Sequence, residues 1–235
     1  MTKSADVYLI CDPWRIIEDG WHKDRNMVSE SVFSLGNEYM GVRGYAEEGV
    51  GAQSMRGSYF NGIYEEIDLE KSYKGIVTKT HFMVNSVDWL YTEIRAGDET
   101  LDMAAAEISN FRRELDMRDG SLKRSFDWHT RAGAVIHLEF SRFLSMENPR
   151  CGFQKMTFNA SQAIELTVVI ANSFNSGHGW NKKVYWDMEQ REWLENGAVV
   201  QARTVRTGQQ VFSGFSWKAS EGAVHSRSEG EKSAG

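Results

Sequence analysis

Short runs of alternating apolar and polar residues dominate the chain, punctuated by glycine, asparagine and aspartate. Between Ala134 and Phe140 the even positions are Ala, Ile, Leu and Phe, whereas His137 and Glu139 hold odd ones. Ile164, Leu166, Val168 and Ile170 repeat the pattern, with Glu165 and Thr167 between them. Successive side chains of a strand point to opposite faces, so each run predicts a strand with one buried face. Helix formers concentrate only between Leu101 and Asn110, where Ala104, Ala105, Ala106 and Glu107 predict one or two helical turns. No repeat of roughly 20–50 residues recurs, which excludes solenoids and propellers. The pattern predicts a mainly β fold, a large antiparallel β-sandwich or barrel with little helix.

Turn residues sharpen two places. Asp119-Gly120 lies between two such runs and predicts a hairpin with a two-residue type I′ loop. That register sets Met117 against Leu122, Leu115 against Arg124, Arg113 against Phe126 and Phe111 against Trp128. On the other face it pairs Asp116 with Lys123 and Arg112 with Asp127, each match contributing about 0.2–1 kcal/mol. The second place is FSLGNEYMGVRG, Phe33 to Gly44. Its glycines lack the G-x-G-x-x-G spacing of a dinucleotide loop, and no helical pattern follows Gly44 to carry a pyrophosphate. The stretch instead predicts a strand from Val32 to Leu35, a positive-φ turn at Gly36-Asn37 and a second strand from Tyr39 to Val42.

Composition narrows the class. The chain has 235 residues, 41% hydrophobic and 26% charged, enough to bury a core without staples. A net charge of −6 and the lack of a long basic run exclude a dedicated nucleic-acid binder. Cys11 and Cys151 have neither CxxC nor Cys/His spacing, which predicts reduced thiols. No apolar run suits a signal peptide or a membrane span, so a cytoplasmic protein without membrane contact is expected. Ser226 to Gly235 offers almost nothing to bury and predicts a polar tail or the start of a linker, after a domain of residues 1–225.

Two segments carry residue types that recognise sugars. RGSYFNGIYEE, Arg56 to Glu66, offers Arg56, Tyr59, Asn61 and Tyr64, since aromatic faces stack on pyranose rings and amides read hydroxyls. Taken alone, it reads first as a strand with a glycine bulge, packed in a sandwich. NSFNSGHGWNKK, Asn172 to Lys183, offers Asn175, His178 and Trp180 in a loop after a strong strand, and reads also as an ordinary connection. Carboxylates are plentiful, yet Glu47-Glu48, Glu65-Glu66 and the acids of WDMEQREWLE read as solvated faces. No Ser/His/Asp order, Cys/His arrangement or metal-ligand cluster stands out, so neither a catalytic residue nor a metal ligand is predicted.

Several blocks in order resemble one family. ESVFSLGNEYMGVRG (Glu30 to Gly44) followed by GSYFNGIYEE (Gly57 to Glu66) resembles the N-terminal signature of glycoside hydrolase family 65. That family holds maltose, kojibiose, nigerose and trehalose phosphorylases and some acid trehalases. RELDMRDGSLKRSFDW (Arg113 to Trp128), SRFLSM (Ser141 to Met146) and DPW (Asp12 to Trp14) resemble further blocks of it. Glu38 departs, standing where the family usually has Gly. The resemblance implies a galactose-mutarotase-like super-sandwich preceding a helical linker and a catalytic (α/α)6 barrel. The general acid and the phosphate-binding groups would belong to the barrel, so this chain alone is expected to be inactive. Implied partners are the barrel, a disaccharide and a second copy in a homodimer, with inorganic phosphate as co-substrate and no cofactor. Asn175, His178, Trp180, Arg56, Tyr59, Asn61 and Tyr64 then become candidates for a substrate rim or an interdomain surface. A stand-alone carbohydrate-binding module and a domain of a trehalase-type hydrolase stay open as alternatives.

Overall fold

A computed structural model describes residues 8–51, 54–73, 77–179 and 182–220, together with 224, 226, 227, 229, 230, 233 and 234. Strand accounts for 55% of it and helix for 5%, in several antiparallel sheets, as the alternating runs require. In chain order the strands are β1 (Leu9–Cys11), β2 (Arg15–Asp19), β3 (Leu35–Gly36), β4 (Met40–Val42), β5 (Ser58–Phe60), β6 (Tyr64–Tyr73), β7 (Val77–Met83), β8 (Asp88–Ala96) and β9 (Glu99–Thr100). They continue as β10 (Glu107–Asp116), β11 (Ser121–His129), β12 (Val135–Leu144), β13 (Gly152–Ala160), β14 (Leu166–Ser173), β15 (Trp186–Leu194), β16 (Gly197–Thr204), β17 (Gln210–Ser216), β18 (Glu229–Gly230) and β19 (Ser233–Ala234). The α-helix is α1 (Asn26–Val32). Two compact units share these elements: Met1–Met55 with Thr92–Val169, and Arg56–Tyr91 with Ile170–Gly235.

The first unit is built on a six-stranded sheet of order β1-β2-β10-β11-β12-β13, every neighbouring pair antiparallel. Ala134, Ile136, Leu138 and Phe140 are buried on its inner face, in the phase the alternation predicts. Phe126 stacks on Phe140 at 6.1 Å, and Trp128, Ile94, Leu101 and Met103 complete the cluster. Each fully buried side chain of this size contributes about 1.5–3 kcal/mol. Ile164, Leu166 and Val168 pack half-buried against the same cluster. In the second unit β6 and β7 form one hairpin, and β15, β16 and β17 form a three-stranded sheet. Ala198, Val200 and Ala202 of β16 are buried there beside Trp186.

Three expectations need correction. The Ala-rich stretch makes a single hydrogen-bonded turn, Ala106 N–H to Asp102 O at 2.7 Å, and then enters β10. Alternation from Phe111 onward overrides the helix propensity of three alanines. Helix occurs instead at α1, whose buried residues are Asn26, Ser29 and Glu30 while Met27 and Val28 are exposed. Its polar face points inward, so no apolar stripe announced it. The Phe33–Gly44 turn closes without positive φ at any of its glycines. Asn37 closes it, its Oδ1 accepting the N–H of Tyr39 at 2.9 Å and of Met40 at 2.8 Å. Separately, β18 pairs with β19, and β19 pairs with β14 through Asn172 and Ser173.

The β10–β11 hairpin forms, but two residues out from the expected register. Leu115 faces Leu122, Glu114 faces Lys123 and Arg113 faces Arg124, around a four-residue loop from Met117 to Gly120. Gly120 sits at φ 65°, and Asp119 Oδ1 accepts from the Ser121 N–H and hydroxyl. A shift of two preserves faces, so the buried set is unchanged. The charge matches do change, because the shift sets Arg112 against Ser125 and Asp116 against Ser121, while beyond Arg112 a bulge places Asn110 at φ 53°. Arg112 turns to Glu114 at 2.7 Å, and Asp127 instead accepts from Asn110 Nδ2 and His137 Nδ1, each at 2.6 Å. The Asp127 hydrogen bond raises the His137 pKa against a smaller opposing effect of burial. A raised histidine stabilises the fold below its ordinary pKa, and that contribution is lost as pH climbs through the folded value. His137→Gln should therefore lower stability near pH 6 by less than about 1 kcal/mol, the solvent-screened range, and change little near pH 8. Thermal melts of both proteins at the two pH values measure this.

Candidate functional site

Arg56, Tyr59, Asn61, Tyr64, Asn175 and His178 all belong to the second unit; Trp180 lies outside the described residues. Two of them meet on a residue the sequence reading passed over. Asn85, 1% exposed, follows β7. Its Oδ1 accepts from the Ser58 N–H at 2.9 Å, and its Nδ2 donates to Arg56 O at 3.1 Å and Gly177 O at 3.2 Å. Its backbone N–H donates to His178 Nδ1 at 3.1 Å, and its carbonyl accepts from the Trp186 indole at 2.7 Å. An amide side chain offers an acceptor and two donor hydrogens in one plane, the set this junction uses. Asn85→Ala should cost about 2 kcal/mol, from buried groups left unpaired, as read by urea denaturation of the chain.

His178 is thereby fixed in tautomer. With Nδ1 accepting, the neutral ring carries its proton on Nε2, and burial lowers its pKa. Phe82 lies 4.4 Å from the ring, and buried Tyr185 meets it edge-on at 6.1 Å. Arg56 Nη1 lies 3.3 Å from Asp88 Oδ2, a carboxylate 2% exposed, with its guanidinium over the Tyr91 ring. A guanidinium and a neutral N–H donor are groups that read hydroxyls.

Asn61 and Tyr64 form a second, separately clamped feature. Asn61-Gly62 turns β5 into β6 with Gly62 at φ 82°. The Tyr64 N–H donates to Gln209 Oε1 at 2.7 Å, and the Thr207 hydroxyl donates to Tyr64 O at 2.7 Å. Glu65 is fully buried and accepts the N–H groups of Arg206 at 2.9 Å and Thr207 at 3.1 Å. It is a structural acceptor, not part of a solvated face. Tyr64 remains 41% exposed, Asn175 is exposed and Tyr59 is half-buried.

Glu47 and Glu48 are not solvated either. They belong to a buried charge layer in the first unit, facing Arg113, Arg124 and Arg142 from β10, β11 and β12. Arg113 donates to Glu18 Oε2 through Nη2 at 2.6 Å and to Gly44 O at 2.9 Å. Arg124 reaches both oxygens of Glu48 at 2.5 Å and Glu47 at 2.7 Å. Arg142 donates to Glu47 at 3.1 Å and to Arg43 O at 3.1 Å. Burial alone would raise the Glu47 pKa, but Arg142 and Arg124 outweigh it and hold the carboxyl below its ordinary value. Burial opposes the Arg124 charge, and Glu48 and Glu47 more than restore it. The layer holds residues 44–50, which are buried without regular structure. Among the described residues no group of three or more His, Cys, Asp or Glu is placed to hold a metal ion.

The sequence profile described as glycosyl hydrolase family 65, N-terminal domain, matches residues 16–234. The chain belongs to glycosyl hydrolase family 65. A kojibiose phosphorylase of Halothermothrix orenii is 32% identical over 135 residues, 57% of this chain and 16% of that protein. An alpha,alpha-trehalose phosphorylase of Thermoanaerobacter brockii is 30% identical over 141 residues, covering 57% and 18%. A 3-O-alpha-D-glucosyl-L-rhamnose phosphorylase of Lachnoclostridium phytofermentans is 33% identical over 147 residues, covering 53% and 19%. A solved structure from the human microbiome, provisionally named a kojibiose phosphorylase, superposes with a TM-score of 0.89 at 34% identity. It covers 97% of this chain, which spans 30% of that longer protein. In this family 65 domain the Glu30–Gly44 block supplies the end of α1 and the Asn37 turn, while the later blocks supply Arg113, Arg124 and Arg142. Among the described residues no helix is long and apolar enough to cross a membrane.

Proposed function

We propose that the chain is the N-terminal sandwich of an inverting phosphorylase acting on an α-glucosyl disaccharide of kojibiose, trehalose or maltose type. The observation that carries this is the 34% identity and 0.89 TM-score, over 97% of the chain, to a structure named for that activity. In the parent reaction a carboxylic acid protonates the glycosidic oxygen while inorganic phosphate attacks the anomeric carbon from the opposite face. The bond to the leaving sugar breaks, giving β-glucose 1-phosphate and the free acceptor sugar. Phosphate replaces the base-activated water of an inverting hydrolase, so one protein carboxylate suffices. We assign that acid and the phosphate site to the (α/α)6 barrel.

The buried acids of this chain support the assignment, because each has a structural partner. Glu18, Glu47 and Glu48 face arginines, Glu30 holds Ser54 and Met55, and Asp88 holds Arg56. The domain comprises residues 1–225, with 226–235 leading towards the barrel. Arg56, Tyr59, Asn61, Tyr64, Asn175, His178 and Trp180 serve a substrate rim or an interdomain surface, in a cytoplasmic homodimer. Incubating the full-length parent with kojibiose, trehalose and maltose, with and without phosphate, tests the reading. Phosphate-dependent β-glucose 1-phosphate is expected, and none from this chain alone. Glucose release independent of phosphate would replace the phosphorylase with a trehalase-type hydrolase.

A further inference from the structure

At one end of the six-stranded sheet the β1–β2 and β10–β11 turns lie side by side, the Met117 N–H donating to Trp14 O at 2.8 Å. Trp14 is 50% exposed, on a turn closed by side-chain hydrogen bonds. Asp12 Oδ1 accepts the N–H of Trp14 at 2.9 Å and of Arg15 at 2.7 Å, and Asp12 Oδ2 holds the Arg15 guanidinium at 2.8 Å. Arg118 places its guanidinium 5.5 Å from the Trp14 ring, and its N–H donates to Asp116 Oδ1 at 2.9 Å. Asp12, Pro13, Trp14, Arg15, Asp116 and Arg118 line a concavity of about 610 Å3, a size that ligand pockets occupy.

Asp12 closes the turn without the indole, which stays half in water beside the Arg118 guanidinium. Arg15 and Arg118 sit among Asp12, Asp116 and, 3.8 Å from Arg15, Glu114, so no unopposed cation is left to select an anionic ligand. Their alternating donors and acceptors suit a neutral polyhydroxyl ligand, and an ordered aromatic face suits the C–H face of a sugar ring. We propose that this concavity is a carbohydrate-binding site in which Trp14 stacks on a pyranose ring while Arg15, Arg118 and Asp116 read its hydroxyls. The choice of glucosyl sugars rests on the proposed function. The geometry does not.

Isothermal titration of the chain with glucose, maltose and kojibiose, in the absence of phosphate, tests the site. Saturable millimolar binding is expected for at least one sugar, weakened about tenfold by Trp14→Ala and about threefold by Arg118→Ala. His178→Ala, in the other unit, should leave it unchanged. Circular dichroism checks that each variant folds, and Arg118→Ala decides if Trp14→Ala does not. No saturable heat from a folded chain, or binding lost with His178 but kept without Trp14, overturns the proposal. Because phosphorolysis requires phosphate and the parent protein, a parent without that activity leaves this outcome untouched.

Discussion

Replacing Arg124 with methionine is expected to destabilise the chain by about 3–5 kcal/mol, the range for removing one partner of a buried ion pair. The substitution leaves Glu48 without its bidentate partner and Glu47 with Arg142 alone, in a layer where Arg124 is 6% exposed. Urea unfolding followed by far-UV circular dichroism would give the difference directly. The free energy lost comes chiefly from stranded carboxylates, not from missing attraction. The double change Arg124→Met, Glu48→Gln, which leaves Glu47 paired with Arg142, should therefore recover part of it. The depressed pKa of Glu47 sets the pH behaviour. A lowered carboxyl stabilises the fold above its unfolded pKa, near 4.5, and that contribution is lost as pH falls through the folded value. Wild-type stability should thus decline on acidification below that point, and more shallowly in the double variant, where Arg124 no longer lowers the Glu47 pKa. An unaltered midpoint for Arg124→Met would show that the layer is not what holds residues 44–50.

Gly44→Ala is the second large effect, at about 3 kcal/mol, the upper end of what overpacking costs. A Cβ there would stand 2.5 Å from Phe33 Cβ and 2.7 Å from Phe33 O. Neither contact is the free end of a flexible side chain, since Phe33 is fully buried at the end of α1. The Gly44 N–H also donates to Glu30 O at 2.7 Å, so the backbone cannot withdraw without losing that bond. Gly36→Ala is the control, because only Met40 O lies within reach there, at 3.9 Å. It should melt within about 2 °C of the wild type, as an exposed change with under 0.5 kcal/mol of effect does.

These outcomes separate what was legible in the sequence from what was not. The strands were legible because their faces differ: Ile136, Leu138 and Phe140 alternate with His137 and Glu139 whatever the neighbouring strands are. The hairpin was legible in position but not in register, because Asp-Gly permits more than one loop length and Asn110 adds a bulge that no local rule demands. The charge layer was written in the same alternation. Arg113 lies between Phe111 and Leu115, Arg124 between Leu122 and Phe126, and Arg142 between Phe140 and Leu144, each in phase with buried apolar neighbours. An arginine in that phase must meet a buried acid, and Glu47-Glu48 were the acids to suspect. Asn85 left no such signal. Its partners lie 27, 29, 92, 93 and 101 residues away, and only the folded chain brings them together.

The arginine clamp on residues 44–50 also orders events in time. Its bonds join positions 69 to 99 residues apart, whereas the β10–β13 meander closes through short connections. Closing long loops before any rewarding contact exists is entropically unfavourable, so the meander pairs first and the 44–50 segment docks onto a finished sheet. The clamp is therefore a latch on the folded state. Loosening it hastens the chain's opening and leaves the speed of its assembly almost unchanged.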